Sequence, residues 1–320
     1  MASLVPDPQR IRLAMLGMVD GNGHPYSWSA IVNGRYDPEA MARCGYPAIP
    51  QYLAAQPQEA LGIPGVEVTH VWCDDPADAA KVAKAARIAT IVARPEDVIG
   101  HVDAVVLPTD KGWEHVERAR PFVEAGLPLF IDKPLVDRAD HLQQFLAWQR
   151  AGKAFLSTSC MRYAKEFLDL RPRLGEIGRL RLVTMTTAKS WERYGIHALE
   201  GVYGLLAPGG WLSVANTGVP GADIVHARHR DGVDVLLAAI ADLAGAFGCL
   251  SLYGTQGVLS ARFQDTFTAF KTQLLAFVAY LRTGQSPVDF SETVELMQII
   301  IAGIRSREQS GRTVPLDEVA

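Results

Sequence analysis

The feature that most constrains the fold is an alternation. Across the first 130 or so residues, short apolar runs that end near Gly, Asp or Pro are separated by stretches with helical spacing. The runs "IRLAMLG", "VEVTHVW", "IATIVA", "DAVVLPT" and "PLFI" read as strands one to five. Their near-continuous hydrophobicity suits strands buried on both faces. Between them, "HPYSWSAIVNG", with proline near its start and Gly34 at its stop, "ADAAKVAKAA", and "GWEHVERARPFVEAG", ending at Gly126, read as helices, and "PEDVIG" as one helical turn. Alternating strands and helices predict a doubly wound parallel sheet of the Rossmann type. Residues 35–64, rich in Pro, Gly and Ala, read as an insertion, partly helical around "PQYLAAQ".

The pattern changes near residue 135. A helix, "DRADHLQQFLAWQRAG", and the strand "AFLSTS" precede strands punctuated by hairpin turns. Asp231-Gly232 joins "DIVHARH" to "VDVLLAAI", and Thr255-Gln256 joins "GCLSLYG" to "GVLSARF". Two helices close the chain, one with Phe267, Phe270, Leu274, Phe277, Val278 and Leu281 at helical spacing. In the other, Ser291 is the expected N-cap and Val294, Met297, Ile301 and Ile304 share a face. The expected organisation is a dinucleotide-binding domain over 1–134 and an α+β domain with a mostly antiparallel sheet over 135–320. The second would serve substrate binding and oligomerisation.

Composition excludes some classes. A formal charge of −4 with no basic stripe argues against a nucleic-acid or polybasic membrane partner. No run approaches the roughly 20 apolar residues of a membrane span, and the amino end lacks a signal-peptide pattern, so a cytoplasmic protein is expected. Cys44, Cys73, Cys160 and Cys249 have no metal-ligand spacing and read as reduced, mostly buried thiols; no metal is expected.

Ligands of open parallel sheets bind beyond the carboxyl ends of the strands. Three segments fall there. "GMVDGNGHP" offers Gly17, Gly21 and Gly23 either to a pyrophosphate or to an ordinary turn. Asp74 and Asp75, after strand two, suit ribose hydroxyls or capping of the next helix; with no arginine directly following, NAD is favoured over NADP. The third segment, "LFIDKPL", delivers Asp132, Lys133 and Pro134 to the end of strand five, while Pro108 and Thr109 end strand four. Lys133 reads as a proton donor and acceptor for a substrate oxygen, provided that its pKa falls toward neutrality, or as a solvated lysine paired to Asp132.

Taken together, "VWCDDP", "DAVVLPT" with His115, "FVEAGLPLFIDKPL", "CMRYAKEF", "LGEIGRL", "LYGTQGVL" and the closing "GQSPVDFSETVELMQIIIAGIRSREQSGRTVPL" resemble the Gfo/Idh/MocA family of oxidoreductases. Asp132 stands where the family usually has glutamate. The resemblance implies an NAD-dependent dehydrogenase or reductase acting on CH–OH groups, and a homodimer or homotetramer formed through the second sheet. It also implies a second catalytic position at "WERYGIHALEG", where His197 precedes Glu200 in a pattern similar to the family's His-x-x-Asp. Arg193 replaces an aspartate common four residues before that histidine; it could bind a substrate carboxylate or lower the pKa of Lys133. Trp191, Tyr194, Arg162 and Tyr163 could line a sugar site or pack in the core, whereas His24, Tyr26 and Trp28 read as packing or capping residues.

The expected activity is hydride transfer between a nicotinamide and a secondary alcohol or ketone of a sugar, cyclitol or related polyol. Lys133 would act as acid/base, His197 would assist and Asp132 would orient the lysine. Two other readings share the fold: glycosidic cleavage through transient oxidation, and dinucleotide binding without catalysis.

Overall fold

The computed structural model describes residues 2–319. β1 (Ile11–Leu16) is buried along nearly its whole length, which places it at the centre of a sheet. Gly34, in the left-handed region at φ 67°, ends α1 (His24–Asn33) and returns its N–H to Ala30 O. The expected insertion folds into α2 (Pro38–Ala42), capped by Asp37, and α3 (Ala48–Ala54). Then follow β2 (Val66–Trp72), α4 (Pro76–Ala86), β3 (Thr90–Ile91), a 3₁₀ turn (Pro95–Val98), β4 (Ala104–Leu107), α5 (His115–Glu124), β5 (Leu129–Ile131), α6 (Ala139–Arg150) and β6 (Phe155–Leu156).

The six strands are parallel, in the order β3-β2-β1-β4-β5-β6. The order reverses between β1 and β4, and a crevice is expected at such a switch point. Two expectations shift here. Strand three is confined to Thr90 and Ile91, because the ladder to His70 and Val71 is that short. Phe155–Leu156 pairs with β5, so the parallel sheet continues beyond residue 135.

The second half runs α7 (Lys165–Leu168), β7 (Leu180–Ala188), α8 (Trp191–Tyr203), β8 (Trp211–Asn216), β9 (Ala222–His229), β10 (Asp234–Ile240), β11 (Cys249–Gly254), β12 (Val258–Arg262), α9 (Thr266–Thr283), α10 (Phe290–Glu308) and β13 (Val314–Pro315). Its seven strands form one sheet, β12-β11-β7-β10-β9-β8-β13, antiparallel except between β7 and β10. Both expected hairpins are present, and Gly232 takes φ 74° in the first.

α8 and α10 pack on one face of this sheet, while α9 crosses to α1 of the first half. Phe277 meets Phe130 of β5 at 5.4 Å and Phe270 meets Trp28 at 5.9 Å. The six expected apolar residues of α9 are all buried, each worth about 1.5–3 kcal/mol of transfer free energy. α10 is buried on more than one stripe and starts two residues earlier than expected. Asp289 is its N-cap, accepting from the N–H of Ser291, because a carboxylate at that position reaches the free N–H groups of the first turn. All four cysteines are free, and burial pushes the thiols of Cys73 and Cys160 up to about 12. Among the described residues no helix is long and apolar enough to cross a membrane.

Candidate active site at the junction of the two halves

The loop after β1 is built for close backbone approach. Gly17 sits at φ 107°, and a Cβ there would lie 2.8 Å from Thr109 Cγ2. Gly21 is also left-handed, at φ 75°. Gly23 is not; its missing side chain makes room for Ile49 and Tyr46 of the insertion, so its part is packing. Asn22, buried and unremarked in the sequence, pins the loop across two strand ends. Its amide donates to Pro108 O and to Asp132 Oδ2, both at 3.0 Å.

At the end of β2 the two acids divide their work. Asp75 caps α4, accepting from Ala77 N at 2.8 Å. Asp74 accepts from Met18 N at 3.2 Å and from Arg118 of α5 at 2.7 Å. An arginine therefore does stand beside the ribose-type acid, delivered by α5 rather than by the residues after Asp75. Next to it opens a largely apolar slot of about 260 Å³ between Leu16, Trp72, Leu107, Pro121 and Phe122. A glycine loop that tolerates no side chain at Gly17, an acid at the end of β2 and an apolar slot at the switch point together fit a dinucleotide. A larger groove, of about 800 Å³, lies elsewhere, between α6, β6 and the start of α10, and includes none of these residues.

Lys133 is 2% exposed, which excludes the solvated-loop reading. Its peptide bond to Pro134 is cis. The ammonium lies 3.6 Å from Asp110 Oδ2 and 4.5 Å from the centroid of the Tyr194 ring, with no hydrogen-bond partner. Asp132 is not its ionic partner at contact distance. One oxygen of Asp132 accepts from the backbone N of Lys133 at 2.8 Å; the other is taken by Asn22 and by His24 Nδ1 at 2.9 Å. Asp132 thus fixes the backbone that carries the lysine. Burial disfavours the ammonium, but Asp132 and Asp110 outweigh it and hold the pKa above the ordinary 10.5. The expected fall toward neutrality is therefore absent in the free protein. Burial likewise opposes ionisation of Asp110, yet Lys133 and Arg193 hold its carboxyl down at about 2.

Asp110, one residue beyond Thr109 and fully buried, is the group that sequence reasoning missed. Its other oxygen accepts from Arg193 at 2.6 Å. Arg193 is therefore paired with the acid that faces Lys133, and the lysine's pKa is raised rather than lowered. Thr109 and Pro108 are buried beneath; Thr109 O and Leu135 O lie 2.7 and 2.9 Å from the ring nitrogens of buried His115. That imidazole ties the end of β4 to the turn after Pro134.

From α8, His197 is buried with Nδ1 2.7 Å from Ser159 Oγ, and its ring lies 4.7 Å from that of Tyr194. Burial, then Lys133, His24 and Lys189, hold its pKa well below 6.5, so it is neutral. Lys133, Tyr194 and His197 thus converge. Other expected members do not. Trp191 is fully buried and donates to Ile300 O at 2.9 Å; it is a packing residue beneath Gly195 and Gly303. Arg162 is bound to Glu200 and, at 2.7 Å, to Glu292, while Glu200 also accepts from Ser159 N. Burial raises the Glu200 pKa, and the pair is committed to holding α8 against the 160–163 turn. The Tyr163 hydroxyl is buried beside Thr158. Tyr26 and Trp28 pack in the core as expected; His24 packs too, stacked on Trp28 at 4.1 Å, but it also reaches Asp132 and so joins the site.

Residues 41–158 match the family model described as "Oxidoreductase family, NAD-binding Rossmann fold", GFO_IDH_MocA. No curated protein matches the sequence. Among solved structures, myo-inositol 2-dehydrogenase of Lactobacillus plantarum is similar with a TM-score of 0.73 at 14% identity, over 96% of this chain and 99% of that one. A myo-inositol dehydrogenase of Corynebacterium glutamicum gives 0.69 at 17% identity, over 96% and 99%. The scyllo-inositol dehydrogenase of Lactobacillus casei with bound NAD(H) and scyllo-inositol gives 0.71 at 14% identity, again over 96% and 99%. At such identities the likeness establishes the fold.

Proposed function

We propose that the chain, whose residues 41–158 match the Gfo/Idh/MocA oxidoreductase model, is an oxidoreductase of that kind and interconverts a secondary alcohol and a ketone on a polyol or cyclitol with NAD. The observation that carries this reading is the ammonium of Lys133. It is buried where the two halves meet, faces Asp110 and Tyr194, and has no hydrogen-bond partner of its own. A buried donor left unsatisfied costs about 1–3 kcal/mol or more, which a substrate oxygen would relieve.

Gly17, Gly21, Asp74 and the slot beside Phe122 would hold NAD, whose nicotinamide supplies the hydride chemistry when bound. The chain's residues supply the proton. In the reducing direction the Lys133 ammonium would donate to the forming alkoxide; in the oxidising direction the ammonium would first have to release its proton, and the resulting amine would take the hydroxyl proton. Neutral His197, beside Tyr194, offers a hydrogen bond that orients the substrate hydroxyl and can pass a proton on. Asp110 keeps the lysine charged and aimed, and Asp132 fixes its backbone. NAD is the favoured cofactor because Asp74 suits ribose hydroxyls and repels a 2′-phosphate.

The test is a polyol and cyclitol panel with NAD, followed by absorbance of reduced cofactor. Turnover of at least one member is expected, together with its loss in Lys133→Met. Binding of NADH with no turnover of any panel member, in either direction, would overturn the enzymatic reading.

We also propose a homo-oligomer. Leu212, Ile224 and Leu236 are exposed on β8, β9 and β10, on the face of the second sheet opposite α8 and α10. Apolar strands with one uncovered face suit pairing with a second copy. Sedimentation at micromolar concentration should give a dimer or tetramer, and Leu236→Glu should shift it to monomer.

A further inference from the structure

Beside Lys133 the site holds a cationic feature that hydride transfer on a neutral polyol does not require. Lys189, just ahead of α8, has its ammonium 4.2 Å from the centroid of the Tyr194 ring, which Lys133 approaches at 4.5 Å. Both ammoniums therefore share one ring, no farther apart than a sugar-sized molecule can span. Arg193 is the third cation, reaching Asp20 O at 3.0 Å and Asp110.

The compensation is incomplete. Asp110 faces both Lys133 and Arg193, and Asp132 is already held by Asn22, His24 and a backbone N–H. Lys189 has no carboxylate within 4.0 Å among the described residues; its ammonium donates to the neutral carbonyl of Gly21 at 2.7 Å. Arg193 Nε is buried with no hydrogen-bond partner, as is Lys133 Nζ. Lys133 and Arg193 thus share Asp110, and Lys189 has no paired carboxylate of its own within 4.0 Å among the described residues. The backbone is also under tension, since Lys189 holds φ 57°, a left-handed conformation that costs a β-carbon residue about 1 kcal/mol. Such strain held beside the ring that Lys133 also faces points to a use for the side chain's position.

We infer that the substrate of this site carries an anionic group, a carboxylate or phosphate, bound by Lys189 and Arg193 while its reacting hydroxyl meets Lys133. The inference rests on the oxidoreductase reading above. Arg193 then offers Nε to the anion, and Lys189 exchanges the Gly21 carbonyl for it, a charge-assisted bond in a partly desolvated cleft. The cationic pressure on His197 from Lys133 and Lys189 fits the same picture, because an anion would relieve it.

The other possible source of negative charge is the cofactor's pyrophosphate, and the test separates the two. The protein–NADH complex is titrated calorimetrically with matched pairs, D-glucose against D-glucuronate and D-glucose 6-phosphate, and myo-inositol against its monophosphate. The same pairs are assayed for turnover with NAD. At least one acid should bind about tenfold or more tightly than its neutral partner. Lys189→Met should abolish that preference with NADH affinity within about twofold of wild type, and Lys189→Arg should restore it. Equal or tighter binding of every neutral partner overturns the inference and leaves the oxidoreductase reading standing. Loss of NADH affinity in Lys189→Met with the acid preference intact also overturns it, assigning the cation to the pyrophosphate. Failure of the wild-type protein to bind NADH would overturn both readings.

Discussion

The two ends of the parallel sheet's carboxyl edge each pair an acid with a cation, under opposite conditions. At the β2 end, Asp74 meets Arg118 at 2.7 Å with side chains 42% and 20% exposed. At the β4–β5 end, Asp110 meets Lys133 at 3.6 Å with 0% and 2% exposed. The tighter contact is the weaker influence. Solvent screens the first pair to about 0–1 kcal/mol, whereas the second cannot lose either partner without stranding a charge in a low-dielectric interior. Burial, not distance, decides which pair governs chemistry. Under the proposed function, ligand recognition falls to the wet end and proton transfer to the dry one.

Breaking the dry end gives the largest effects. Lys133→Met should lower kcat by about 10²–10⁴-fold, the usual worth of a positioned acid/base, with NADH affinity nearly unchanged. A comparable energy is at stake in Asp110→Asn, which leaves Lys133 and Arg193 buried beside a neutral amide; about 3–5 kcal/mol of folding stability should be lost in urea titrations at pH 7. The sign with pH follows from the depressed carboxyl. Its stabilisation is fully present above 3.8, the ordinary value, and is lost as pH falls toward about 2, so wild type should weaken over that window and the variant should not. The alkaline limb of ketone reduction tests the same pair. In wild type the rate should hold until pH passes the raised lysine pKa, and in Asp110→Asn it should fall at lower pH, because one of the two carboxylates sustaining the ammonium is gone.

The contrast also explains what could be read from the chain. Gly17, Asp74 and Lys133 were legible because each ends an apolar run, and strand ends are local signals. His197 was legible only through the family resemblance, as a match to the His-x-x-Asp pattern. Asp110 was not: "VVLPTD" looks like a strand followed by a polar turn, and its partners lie on β5's turn and on α8, far along the chain. The one available signal was an acid just past a buried strand, and the adjacent Lys111 masked it by reading as its partner, although that lysine pairs with Glu114 at 3.5 Å. Arg118 was hidden for the same reason, since its distance from Asp74 in sequence is bridged only by the sheet. Trp191 was left open because an aromatic side chain serves a sugar face and a core equally well; its full burial against Gly195 and Gly303 makes it a packing residue. Lys189 sits between a strand and a helix with no motif to mark it, and only the tertiary return of α8 to the glycine loop gives it meaning.

Asp137, on the turn after Pro134, is a dry-end acid without a cation within 4.0 Å among the described residues, and it sharpens the comparison with Asp110. Burial raises its pKa to about 6, and one oxygen has no hydrogen-bond partner. A carboxyl raised in the folded state favours folding when protonated, so the penalty appears as pH climbs from 3.8 to about 6 and persists above. That interval corresponds to about 3 kcal/mol at most. Asp137→Asn should therefore stabilise the protein at pH 7 by about 1–3 kcal/mol and change nothing near pH 3.5, as read from urea midpoints at the two pH values.

The smallest effect belongs to the wet end. Arg118→Ala removes a half-exposed pair with Asp74 and Glu114, so stability should change by less than about 1 kcal/mol. The consequence should show in cofactor choice instead. Freed of Arg118, Asp74 keeps its bond from Met18 N and has its other oxygen available for ribose hydroxyls, so NADH should bind as well as before or slightly better. NADPH loses the guanidinium that stands beside that acid and would receive its extra phosphate, so it should bind several-fold more weakly. Titrating both cofactors by nicotinamide fluorescence gives the ratio directly. A ratio unmoved by Arg118→Ala would mean that the guanidinium serves the α5 surface alone and that Asp74 by itself sets the preference.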